Sequence, residues 1–219
     1  MITLYGFGRV HPGMSCEGRD MRVQWAREET GLPYRCHALD YVGGEFDGPA
    51  FSRLSYFYQV PVIDDDGPVV GESGAFLLYI AEKAGMLIPA DFAGRTQVVQ
   101  WRFTALSTVE RPLFEMTMID IGMRGKGAGE ARAALKKEAG RWVNGLERRL
   151  DGREWIACDE FTVFDILLAT VLRHVRKTNL IEPYLRLKAY YARALARPAW
   201  LRTLSLCAER QGVTEANIR

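Results

Sequence analysis

The fold of this chain is decided by the stretch QVPVIDDDGPVVGESGAFLLYIAEK, which spans residues 59–83. Val62 and Ile63 are β-branched, as strands favour, and the DDDG that follows is turn chemistry because glycine accepts positive φ. Two further valines resume a strand, and Glu72-Ser73 opens a long apolar run in which serine is a preferred N-cap. The stretch therefore predicts a strand, a hairpin turn, a second strand and a helix start.

Two features of this stretch indicate a ligand. Pro61 stands where the first strand begins, and a cis Val60–Pro61 bond would turn the N–H and C=O of Val60 outward to pair with an extended peptide. An ordinary trans proline is the alternative, because only about 5–6% of X-Pro bonds in folded proteins are cis. At the helix start, a hydroxyl, a backbone N–H and the positive helix end suit a carboxylate, and Glu72 suits an ammonium group. The alternative there is a solvated Glu72 beside a capping Ser73. Combined, the features predict a site for a small peptide with an α-amino acid end.

In order and spacing, QVPVI, DDG and ESGAFLLYIAEK closely resemble the glutathione-binding half of the cytosolic, bacterial-type glutathione transferases. The resemblance implies that Val60, before a cis Pro61, pairs with the cysteinyl part of glutathione. It implies that Glu72 and Ser73 bind the γ-glutamyl end, with Gln59 as a further contact. It also implies a homodimer that uses glutathione as co-substrate in detoxification, without a metal.

The rest of the chain divides into two kinds of pattern. Up to residue 83 the order is β-α-β, a short helix and β-β-α, which favours a thioredoxin-like domain. Near Gly85 strand alternation ends, and only helical periodicity follows. We therefore expect a thioredoxin-like glutathione-binding domain at 1–83, a linker at 84–94 and an all-helical domain at 95–219. The fold class is α/β plus all-α, and the resemblance implies the glutathione transferase fold.

Two local signals lie in the helical half. Pro112 is expected to kink or break its helix, because proline lacks the amide hydrogen and its ring clashes with the preceding turn. Thr162 and Asp165 form a variant of the capping box, which we interpret as structural rather than catalytic. Four residues could line a hydrophobic second-substrate site between the domains, namely Phe114, Met116, Met118 and Met123. Core packing is the alternative for them.

The activating residue for the glutathione thiol is the least regular part of the resemblance. A thiol with a pKa near 8.5 is only a few per cent ionised at pH 7, so a donor must stabilise the thiolate. Family members carry a Tyr at the end of strand one, or a Ser or Cys just before helix one. Here the latter positions hold Glu17 and Gly18, and the loop is longer than typical. We predict Cys16 first and Ser15 second as the catalytic donor, with a backbone N–H or Tyr5 as alternatives.

Composition limits the other classes of function. The net charge is +2 and the basic residues are dispersed, so neither nucleic acid nor an acidic membrane is expected as a partner. No apolar run approaches the roughly 20 residues that span a bilayer. The four cysteines form no Cys-x-x-Cys pair and the three histidines no metal-ligand spacing, which favours reduced thiols in the cytoplasm.

The leading hypothesis is a glutathione transferase that activates the thiolate for attack on a small hydrophobic electrophile. Other glutathione chemistry stays open, namely a reductase or peroxidase, a dehalogenase or an isomerase. A different class is a non-catalytic glutathione-binding protein with the same fold. Turnover of a general aromatic electrophile separates the enzyme from the binding protein.

Overall fold

The computed structural model describes residues 1–125 and 127–218. The strands are β1 (Ile2–Phe7), β2 (Tyr34–Leu39), β3 (Val62–Asp64) and β4 (Val69–Val70). The helices are α1 (Asp20–Thr30), α2 (Pro49–Ser52), α3 (Ser73–Ala84), α4 (Phe92–Thr104), α5 (Glu110–Asp120), α6 (Gly129–Arg149), α7 (Val163–Arg173), α8 (Leu185–Leu195) and α9 (Pro198–Gln211). The predicted fold class, α/β followed by all-α, is confirmed.

The strands form one mixed sheet in the order β2-β1-β3-β4. β1 is parallel to β2 through the crossover helix α1, and antiparallel to β3 with Tyr5 opposite Val62. β3 and β4 are the predicted hairpin. α1 ends at Gly31, whose φ of 69° is the left-handed conformation that glycine takes most readily.

The chain separates into two compact units, Met1–Met86 with Arg197–Arg219, and Leu87–Ala196. The last helix therefore packs with the sheet, against α1, where the rings of Trp25 and Trp200 lie 4.7 Å apart. Compact units and sequence domains are different divisions of a chain, so the domain limits 1–83, 84–94 and 95–219 stay a prediction.

The second unit shows how the chain accommodates Pro112. A π-helical turn at Ala105–Val109 separates α4 from α5, and Pro112 is the third residue of α5 and is buried. A π turn widens the helix and gives the proline ring room in the turn before it. The α-helical pattern is thus interrupted in the turn before Pro112, which is where a proline ring clashes with its own helix.

The capping box at the start of α7 is confirmed. The Asp165 carboxylate accepts the backbone N–H of Thr162 at 2.8 Å, and Tyr190 donates to its other oxygen at 2.9 Å.

Every described residue after 94 that has regular structure is helical. Within the described part of the chain, no helix is both long and apolar enough to cross a membrane.

Candidate glutathione site

A closed loop positions the residues before β3. The Ser55 hydroxyl donates to the carbonyl of Gln59 at 3.0 Å and accepts the Gln59 N–H at 2.8 Å. The Val60–Pro61 peptide bond is cis. The ladder between β1 and β3 ends at Val62, two residues past Val60, so the backbone of Val60 lies beyond the paired segment. Gln59 itself is exposed.

The start of α3 combines an exposed acid with a buried hydroxyl. Glu72 is exposed and is the N-cap, with a φ of 64° that side chains rarely adopt. Ser73 is the first helical residue and is only 4% exposed. The alternative of Ser73 as the capping residue is therefore wrong, because Glu72 holds the N-cap position and the Ser73 Oγ accepts a 2.8 Å hydrogen bond from Nη1 of Arg22. Unusual φ values in non-glycine residues concentrate at functional sites.

The loop before α1 is held from α9. The Cys16 N–H donates to Oε1 of Gln211 at 2.9 Å, and Cys16 adopts a φ of 54°. Its side chain is 1% exposed and lies beside Cys207, whose pKa is raised by a hydrogen bond with Cys16 and by burial. Ser15 is half-buried. The structure therefore buries the first predicted donor against α9 and leaves the second more accessible.

Gly18, one of the two positions at which family members carry a Ser or Cys, has no room for a side chain unless its neighbours move. A Cβ on Gly18 would lie 2.5 Å from the ring of Phe7 and closer still to the carboxylate of Asp20. Any larger residue would force these groups to move. Phe7 and Asp20 therefore occupy the space beside Gly18, and Cys16 and Ser15 stay the predicted donors.

A buried ion pair fixes this region. Nη2 of Arg210 donates to Asp20 at 2.5 Å, Nε to the carbonyl of Phe7 at 2.9 Å and Nη1 to Gln24 at 2.8 Å. Burial by itself would lower the pKa of Arg210, but the facing Asp20 carboxylate raises it overall, so the guanidinium stays charged. Arg210 was not predicted as a site residue, and the nearest signal was its place three positions after buried Cys207, on the same face of α9.

The other candidates are distributed as follows. Tyr5 packs its ring against His37 and Phe51, as a strand residue does. Met116 and Met118 are buried within the second unit, Phe114 meets His174 edge-to-face at 5.4 Å, and Met123 is 45% exposed. No group of three or more potential metal ligands occurs among residues 1–125 and 127–218.

Comparison with known proteins decides the family. The model of the glutathione S-transferase N-terminal domain matches residues 21–83, and that of the C-terminal domain matches residues 111–198. The chain belongs to the glutathione S-transferase family. Among its relatives is the disulfide-bond oxidoreductase YfcG of Escherichia coli, 28% identical over 181 residues that cover 78% of this chain and 83% of that protein. Another is glutathione S-transferase D7 of Anopheles gambiae, 28% identical over 164 residues and 73% of each chain.

Solved transferase structures agree with this assignment. A family member from Pseudomonas fluorescens, solved with two glutathione molecules bound, has a TM-score of 0.78 at 27% identity and covers 92% of this chain and 91% of its own. A glutathione transferase from Pseudomonas putida, with one glutathione disulfide bound per subunit, has a TM-score of 0.79 at 27% identity, with 92% and 90% covered.

Proposed function

We propose that the protein is a glutathione transferase that binds glutathione and activates its thiolate for attack on a hydrophobic electrophile. The observation that carries the proposal is the start of α3, where buried Ser73 receives the Arg22 hydrogen bond beside exposed Glu72. A hydroxyl at a positive helix end suits a carboxylate, and the Glu72 carboxylate suits an ammonium group. The γ-glutamyl end of glutathione carries both groups on one carbon.

The cysteinyl part of glutathione is proposed to pair with the backbone of Val60, with Gln59 as a further contact. The unpaired position of Val60 beyond the β3 ladder supports this placement, because an extended peptide can add to a free strand end. Glutathione enters as co-substrate, and the proposed chemistry requires no metal.

The residue that donates a hydrogen bond to the glutathione thiolate is proposed to lie in the loop before α1, at Ser15 or Cys16. A shift of two units in the thiol pKa makes the thiolate dominant and needs about 2.7 kcal/mol. Ser15 is the more accessible of the two, and Cys16 would have to turn away from Cys207 to donate. The electron pair of the thiolate then forms the new carbon–sulfur bond while the leaving group departs with its own.

A reductase is the second candidate, because a relative at 28% identity is named a disulfide-bond oxidoreductase. The same bound thiolate would attack a disulfide sulfur, form a mixed disulfide with glutathione and release the other thiolate. Both reactions use one glutathione site and differ only in the second substrate.

The first experiment is calorimetric titration of glutathione into the wild type and Ser73→Ala. Loss of one charge-assisted hydrogen bond costs about 1.5–3 kcal/mol, so affinity should fall about ten- to a hundredfold. Ser52→Ala is the control, because that hydroxyl is exposed and bonds only its own helix backbone. Equal affinity in Ser73→Ala and wild type would remove Ser73 from the site.

Turnover assays then separate the candidates. Conjugation of an aryl chloride is expected for a transferase, and reduction of a small alkyl disulfide for a reductase. Glutathione binding with neither turnover would identify a non-catalytic binding protein.

We propose further that the protein forms a homodimer in the cytoplasm and acts in detoxification. Tyr56 and Phe57, in the loop closed by Ser55, are 90% and 79% exposed, which is costly for adjacent aromatic rings unless a partner covers them. The cytoplasm is proposed because all four cysteines are free, as in a reducing compartment. Ultracentrifugation at micromolar concentration should give the dimer mass, and the double variant Tyr56→Ser/Phe57→Ser should shift it toward the monomer. A monomeric wild type contradicts the dimer.

A further inference from the structure

Arg22 is an unusual residue for the interior of the first unit. Arg22 is the third residue of α1 and is only 1% exposed. Burial removes the hydration of a guanidinium, and this costs free energy unless hydrogen bonds compensate for it. One of these bonds goes from Nη1 to Oγ of Ser73 at 2.8 Å.

The bond fixes the direction in which Ser73 can donate. Arginine has donors only, whereas a hydroxyl has one proton and two lone pairs. Because Arg22 occupies a lone pair of Ser73, the single Ser73 proton is left for another acceptor. Among the described residues the Ser73 hydroxyl donates no hydrogen bond. The hydroxyl is therefore a buried donor directed at an external acceptor.

The acceptor that fits is an anion. Ser73 is the first residue of α3, where backbone N–H groups and the helix dipole favour negative charge. A hydroxyl that accepts from a cation is also a stronger donor, because chained hydrogen bonds polarise each other. The Arg22 guanidinium also places positive charge within hydrogen-bond distance of the hydroxyl.

We propose that Arg22 is the positioning residue of the γ-glutamyl carboxylate subsite: it orients the Ser73 proton toward the ligand and supplies charge behind it. This role rests on the proposed function, because it presupposes glutathione as the ligand. Arg22 acts through Ser73, so its effect should be confined to ligands that carry the α-carboxylate.

The test uses two ligands in calorimetry. One is glutathione, and the other is γ-aminobutyryl-cysteinyl-glycine, which lacks only the α-carboxylate of the γ-glutamyl residue. The variants are Arg22→Gln, which keeps a donor without charge, and Arg22→Lys, which keeps charge without the planar fork. Arg27→Gln is the matched control, because Arg27 is equally buried on α1 but donates to the backbone carbonyls of Leu32 and Pro33.

The expected result is selective. Arg22→Gln should weaken glutathione about ten- to a hundredfold and the analogue less than twofold, with Arg22→Lys intermediate. Arg27→Gln should change neither ligand by more than twofold. In a Ser73→Ala background, Arg22→Lys should cost less than it does alone, because the two residues act as one unit.

Three outcomes overturn the role of Arg22: equal loss for both ligands, no loss for glutathione, or full additivity with Ser73→Ala. If Arg22→Gln does not fold, Arg22→Lys carries the same comparison. A wild type that binds neither ligand refutes the proposed function itself. A wild type that binds glutathione, with unaffected Arg22 variants, refutes only the positioning role.

Discussion

Two segments of the first unit that carry the candidate site, residues 55–73 and residues 7–22, are held in opposite ways. The first has several contacts within itself, since Ser55 closes on Gln59 and β3 and β4 form a hairpin, and its partners elsewhere, β1 and Arg22, lie in the first 22 residues. The second depends on the far end of the chain. The Cys16 N–H bonds a glutamine 195 positions away, and Phe7 is bonded by Arg210. A local site can be recognised in a short sequence, whereas a site assembled over long range cannot.

The largest expected effect tests the long-range segment. Arg210→Met leaves the buried Asp20 carboxylate without its cation, so the free energy of unfolding should fall by about 3–5 kcal/mol. Arg202→Met is the control, because Arg202 lies on α9 like Arg210 but is itself 54% exposed in its ion pair with Glu28 of α1, so its loss should cost less than about 1 kcal/mol. Denaturant titration measures both. Similar losses would mean that α9 anchors the loop without help from this ion pair.

A pH effect tests a second local motif, the capping box of α7. Burial raises the pKa of Asp165 from 3.8 to about 6, in spite of the hydrogen bonds from Thr162 and Tyr190. A pKa that is higher in the folded state means stability that is fully present below about pH 4 and lost as the pH rises through 6. The loss is on the order of 3 kcal/mol.

The measurement is the free energy of unfolding at several pH values for the wild type and Asp165→Asn. The difference between the two proteins should shrink or reverse between pH 4 and pH 7, because only the wild type titrates. Parallel curves would show that the hydrogen bonds outweigh burial and that Asp165 is ionised throughout.

The smallest expected effect concerns the thiol of bound glutathione. Whichever of Ser15→Ala and Cys16→Ala removes the hydrogen bond to the thiolate should raise the apparent pKa of that thiol by about one unit, which corresponds to about 1.4 kcal/mol. Thiolate absorbance in the ultraviolet follows the titration. Glu215→Ala serves as a control, because its carboxylate contacts Ser205 in α9, away from the loop. If neither substitution raises the pKa, a backbone N–H or Tyr5 is the donor.

The sequence predicted what neighbouring residues determine. The β3–β4 hairpin and the capping box both follow from residues within a few positions of one another. The resemblance supplied the fold, because its motif covers α3 and the strand before it. These elements could be predicted because each is stabilised mainly by its own backbone and turn residues.

The sequence did not predict features that depend on packing. Arg22 lies three and four positions before buried Trp25 and Ala26 and so shares their helix face. That spacing was the available signal for a buried arginine. The π turn and the pairing of Arg210 with Asp20 leave no periodic trace, since they arise from contacts between elements.

The packing of α9 with the sheet has a consequence for biosynthesis. A chain leaves the ribosome N-terminus first, so β1 and α1 emerge long before the helix that supplies Trp200 and Arg210. Residues 87–196, by contrast, are complete before α9 is made. The unit that begins the chain is therefore the last to be finished, and a premature stop codon shortly before residue 198 would damage the glutathione-binding unit rather than the helices already synthesised.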